Sequence, residues 1–209
     1  MILAIVAMGV FLIGRWDEPL SLKSSSRLWI LAGAAAEFGG IMAFTGDRPG
    51  HEKFFWAVFG GSLLLACVTD SLLCQVYNFT WWISSAAALA LLWCRRAVFM
   101  ESRFIYFDAL GGLLFFVGLQ LLLRGRIYGC ADSYAFCVCA LAQTALGIST
   151  AGFLTHMLLA YLLLFVIQLF RRNLNRKGNL RQPVPFLPYI TAAFWITLAL
   201  HSAGGGVIL

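Results

Sequence analysis

The chain has 209 residues, 61% hydrophobic and 11% charged, with 15 Lys and Arg against 9 Asp and Glu and a formal net charge of +6. A soluble domain carries about 25% charge, so this composition excludes a soluble globular enzyme, a disordered chain and a free nucleic-acid-binding module. It predicts a single all-α, polytopic membrane domain of about eight spans over residues 1–209, because each span needs roughly 20 apolar residues and these runs are too continuously apolar for the alternating strands of a membrane barrel.

The first apolar run, Met1–Gly14, lacks a basic leader and a small-residue cleavage site, so it reads as a helix ending near Trp16 rather than a signal peptide. The second, Leu28–Thr45, carries Glu37 near its middle. After a charged loop, Gly46–Lys53, a third span is expected over Phe54–Leu73, with Asp70 near its end. The uncharged connection Cys74–Phe79 leads to a fourth span, Thr80–Cys94, and then to the basic loop Arg95–Arg103. A fifth span covers about Tyr106–Leu123, followed by the loop Arg124–Ala131, with Asp132 opening the next helix.

Residues Ala135–Phe170 are apolar apart from His156. One helix of that length would reach about 54 Å, too long for a single span. The segment Gly147–Gly152 is therefore expected to break it into spans six and seven. Arg171–Gln182 is basic and polar; Pro183, Pro185 and Pro188 then lead into an eighth span, about Phe186–Ile208. Ten Lys and Arg fall in the loops after spans one, three, five and seven, and five in the others. The positive-inside rule makes the first set cytoplasmic, with both termini outside. The basic excess fits contact with anionic lipid.

Several signals carry little. The six cysteines form no CxxC pair and read as small apolar packing residues. His51, His156 and His201 do not cluster in sequence, His51-Glu52 lacks the second His of a metalloprotease helix, and no nucleophile elbow or phosphate loop occurs. No metal or cofactor is expected.

The acidic residues carry more, because a carboxylate within a bilayer is costly and is a functional candidate by default. Asp108 reads as an interfacial residue near Arg96 or Arg103, and Glu37, among small residues, as either structural or functional. The derived topology puts Asp70 and Asp132 on the same, cytoplasmic, side. Two carboxylates brought close share a proton. One can then activate water while the other donates to a carbonyl. The bland alternative is two unrelated interfacial caps, since Asp at a helix start is favoured anyway.

Three patterns resemble the type IV prepilin peptidase family, the GxGD class of membrane aspartic proteases. In Asp70-Ser-Leu-Leu-Cys-Gln-Val-Tyr-Asn78, Asn78 keeps the family spacing from its first Asp, with Tyr77 in place of the usual Pro. Gly129-Cys-Ala-Asp132 is similar to the Gly-x-Gly-Asp element, with Ala131 for the second Gly and Tyr134 where a Lys is usual. Pro185-Phe186-Leu187-Pro188-Tyr189 is similar to the Pro-Phe-x-Pro run before the last span.

The resemblance implies a peptidase core over about 54–190 and an aspartic endopeptidase with Asp70 and Asp132 as its catalytic pair. Asn78, Gly129, Ala131, Tyr134, Pro185, Phe186 and Pro188 would shape the site. The implied substrate is the leader of a type IV prepilin-like protein, cut after a Gly at the cytoplasmic face of a prokaryotic inner membrane. Without CxxC pairs, the short form that lacks the zinc-binding and methylating domain is implied. The rival readings are a proton-coupled transporter using Glu37, Asp70 and Asp132, or a non-catalytic membrane scaffold.

Overall fold

The computed structural model describes residues 48–95, 103–127, 129–174 and 184–203, with isolated positions at 2, 6, 7, 33, 35 and 39–41. Among these residues the chain is all-helical, without strands. The helices are α1 (Gly50–Leu73), α2 (Asn78–Cys94), α3 (Arg103–Leu123), α4 (Cys130–Thr144), α5 (Thr150–Leu174) and α6 (Leu187–Ala203). Two segments, Gly50–Leu73 and Thr150–Phe170, are long and apolar enough to cross a membrane. Glu37 and the loop after Leu174 lie outside the described residues. Of the first two expected spans, only isolated helical positions are described; Ile2, Val6 and Ile41 there are buried against the core.

The expected third, fourth and fifth spans correspond to α1, α2 and α3. The expected break differs in place. It falls at residues 145–149, not 147–152, because Gly147 takes a left-handed φ of 73° and turns the chain there. Gly152 is already inside α5, its amide bonded to the Ser149 carbonyl. The seventh element is also longer than expected, since its helix runs on through Arg171 and Arg172.

The helices close a ring in the order α1, α2, α4, α3, α5, α6, and α4 also packs on α6 and α5. The short α4 is therefore the hub, which is why Phe136, Cys139, Ala140 and Gln143 on it are fully buried. Aromatic rings run through the interior. Trp56, Phe59 and Phe194 join α1 to α6, and Phe116, Phe136 and Phe153 join α3, α4 and α5. Such ring pairs add about 0.5–1.5 kcal/mol each beyond area burial.

Close approach is set by small residues. A Cβ on Gly112 of α3 would collide with the Thr150 side chain at the start of α5. Hydroxyls in the core bond to carbonyls on their own helices, as Thr144 does to Ala140 and Thr197 to Ala193. Ser62 and Ser84 pair between α1 and α2. The outward faces, by contrast, are apolar: Trp82, Trp93, Phe107, Leu114 and Phe165 are all mostly exposed.

Candidate active site

Helix order sends the end of α1, the starts of α2, α4 and α6 and the end of α3 to one end of the bundle. Asp70 sits one turn from the end of α1. That end is made by Cys74, whose left-handed φ of 52° closes the helix with its amide on the Asp70 carbonyl. The Asp70 side chain points across to α6, where Oδ2 accepts a hydrogen bond from the Leu187 amide at 3.1 Å. One turn deeper, Cys67 Sγ and Thr191 Oγ1 meet at 3.1 Å and pin the same two helices together. Leu187 opens α6, so its amide has no partner within the helix. Pro188, next in the chain, has no amide to satisfy.

Asp132 is the third residue of α4, not the first as the spacing suggests. Its Oδ2 reaches back to accept from the Gly129 amide at 3.1 Å. That bond orients the carboxylate while satisfying a free amide at the helix start. Both Asp residues are partly buried. Asp70 sits on the Leu187 amide and Asp132 lies one turn from Phe136, whose ring meets that of Phe186, so the two residues of the expected pair share one end of the bundle. The helices that carry it share no broad interface, however. Each packs on α2 and on α6, which therefore bridge the two.

Phe186, next to Leu187, is buried. Its ring centroid lies 6.0 Å from that of Phe136, one turn below Asp132 on α4, and 5.2 Å from that of Tyr161 on α5. The Pro185–Pro188 segment thus serves the site through the Phe186 ring and through the backbone amides of Leu187 and Phe186, which face Asp70. Ala131 packs partly against the core. Gly129 is extended, with φ −67°, so no positive φ requires glycine there. A Cβ on Gly129 would nevertheless come within 3.2 Å of Asp132 Oδ2.

Two sequence-derived site residues stand apart. Asn78 is exposed at the start of α2. Tyr134 is two positions beyond Asp132 and therefore on another face of α4. Its ring is 6.4 Å from that of Trp81, and the Arg124 guanidinium lies over it at 5.0 Å.

The expectation for the cysteines is corrected in part. Cys67 and Cys139 are buried, but Cys74 and Cys130 are exposed, because one caps a helix and the other begins one. His156 is a core residue, Nε2 lying 2.9 Å from the Ile190 carbonyl. Among the described residues no three His, Cys, Asp or Glu side chains cluster as metal ligands would.

Sequence reasoning missed two contributors, the Leu187 amide and Tyr161. Tyr161 counts as apolar in a hydropathy reading, and its ring packs on those of Phe186 and Phe136. A phenol inside a long apolar run was its only signal. No protein-family model matches this chain, and neither a curated protein nor a solved structure does.

Proposed function

We propose that the protein is a membrane-embedded aspartic endopeptidase that removes the leader of a type IV prepilin-like substrate. The observation that carries this reading is that Asp70 and Asp132, distant in sequence, share one end of an apolar bundle, Asp70 on the Leu187 amide and Asp132 one turn from Phe136, whose ring meets that of the adjoining Phe186. Each has an oxygen on a backbone amide, which orients the carboxylate. Apolar outward faces on several helices support a lipid environment, since soluble monomers rarely expose continuous apolar surface.

The pair works with a single shared proton. A water between the carboxylates attacks the scissile carbonyl carbon and gives its proton to the ionised member. The protonated member donates its proton to the carbonyl oxygen, so a neutral tetrahedral adduct forms. Breakdown breaks the C–N bond, returns one proton to the leaving amine and restores the shared proton. Neither Asp is dispensable, and acid–base terms are worth about 10²–10⁴ in rate.

The test is cleavage in liposomes of a synthetic peptide with a short basic leader, a Gly at the cut and an apolar helical start. Asp70→Asn and Asp132→Asn should each lose at least 10²-fold in turnover while inserting and folding normally. Wild-type-like cleavage by either variant defeats the proposal.

The cytoplasmic placement of the site is tested separately. Exposed Cys74 and Cys130 flank it, so a membrane-impermeant thiol reagent should spare both in intact cells and label both in inverted vesicles. The reverse pattern overturns the orientation.

A further inference from the structure

Side chains from two helices tie down the start of α6. From α1, Asp70 Oδ2 takes the Leu187 amide at 3.1 Å, and Cys67 Sγ lies 3.1 Å from Thr191 Oγ1. From α5, His156 Nε2 lies 2.9 Å from the Ile190 carbonyl. A carbonyl can only accept, so Nε2 carries the proton and donates it. Ile190 closes the turn that contains Leu187, its own amide bonded to the Phe186 carbonyl. The His156 bond therefore acts one turn from the amide that holds Asp70.

The same ring also reaches the helix of Asp132. His156 is fully buried against Phe136 on α4 and Phe194 on α6, with ring centroids 5.4 and 5.9 Å away and both contacts edge-on. Phe136 lies four positions after Asp132 and so on the same face of α4. One side chain thus touches both the helix that carries Asp132 and the helix whose amide holds Asp70.

Packing does not account for the imidazole. Leucine has nearly the same volume and fills an apolar core with no polar atom to satisfy. His156 Nδ1 is buried with no hydrogen-bonding partner among the described residues, and such an atom is costly in an apolar core. What histidine adds, and leucine lacks, is a donor for the Ile190 carbonyl.

We infer that His156 is a positioning residue of the site: its bond to the Ile190 carbonyl fixes the first turn of α6, and with it the Leu187 amide that holds Asp70, against the helix that carries Asp132. The inference rests on the endopeptidase reading and adds to it a residue that acts through α6 rather than on the peptide. A small shift of the Leu187 amide turns the Asp70 carboxylate, and small misplacements are costly to a reacting geometry. The apolar start of the substrate helix binds without the carboxylates, so the loss falls on kcat more than on KM.

His156→Leu removes the donor at nearly constant volume, whereas His156→Gln keeps a donor that can reach the carbonyl. In liposomes, with the same synthetic leader-bearing peptide, His156→Leu should lose about tenfold in kcat, with KM changed less than about twofold. Its thermal midpoint should equal or exceed that of the wild type, since an unpaired buried nitrogen is gone. His156→Gln should recover kcat to within about twofold of the wild type. His156→Met, more adaptable in shape, should repeat the leucine result.

An unchanged kcat for His156→Leu, in a preparation whose Asp70→Asn variant is inactive, overturns the inference and leaves the endopeptidase reading standing. So does a glutamine variant as slow as the leucine one, since the donor is then not what matters. A fall in kcat that follows a fall in thermal midpoint, or failure of both apolar variants to fold, marks a packing role and overturns it as well. Cleavage retained by Asp70→Asn, or no cleavage by the wild type, overturns both.

Discussion

Asp70 and Asp132 stand at the same end of the bundle but are held by opposite means. Asp132 is tied to the Gly129 amide three residues before it. That bond exists wherever the first turn of α4 exists. Asp70 is tied to the Leu187 amide, 117 residues further along the chain. That bond exists only while α1 and α6 pack, as the neighbouring Cys67–Thr191 contact and the buried Phe186 ring require. One half of the pair is therefore positioned by local structure and the other by tertiary structure. Disturbance of the α6 lead-in should reach Asp70 first and leave Asp132 in place.

The largest effect on this contrast should come from Leu187→Pro, which deletes the amide that Asp70 accepts. Proline fits the first position of a helix, and the buried Leu side chain is controlled for by Leu187→Ala, which keeps the amide. A hydrogen bond to a charged group is worth about 1.5–3 kcal/mol. Turnover by Leu187→Pro should therefore fall about tenfold or more below that of Leu187→Ala at matched stability. Equal turnover in the two would mean the long-range bond does not position Asp70.

Gly129→Ala should be milder. Its φ of −67° suits alanine, and only a shift of a few tenths of an ångström in the Asp132 carboxylate is needed to relieve the new contact. A loss of a fewfold in kcat/KM is expected, and loss of all cleavage would show that local tethering tolerates nothing. Ala131→Gly should be the smallest. Ala131 is inside α4, where glycine costs about 0.5–1 kcal/mol, so the thermal midpoint should drop slightly with no gain in turnover. A several-fold gain would show that the missing second glycine of the resembled motif limits this site.

The same contrast governs what could be read from the sequence. Apolar runs bounded by charged or Gly-containing segments gave the ends of α1, α2 and α3 to the residue and their starts within four, because helices run on past the apolar stretch into their flanking polar residues. Asp132 was legible too, since an Asp three residues after a Gly at a helix start has a local physical use. The Leu187 amide was not, because a backbone donor leaves no mark in the sequence and its partner is chosen by packing. The exposure of Cys74 and Cys130 was hidden for a related reason. Both are apolar by type, but helix ends, not hydropathy, decide where they lie.

The most direct test of the pair as one unit is a double-mutant cycle on peptide cleavage. Turnover is measured in liposomes for the wild type, Asp70→Asn, Asp132→Asn and the double variant. Groups that share one proton act together, so the double variant should be little slower than either single variant, and the coupling should approach the full effect of one substitution. Losses that multiply, with each variant retaining its own share of activity, would mean that Asp70 and Asp132 act separately and would contradict the shared-proton mechanism.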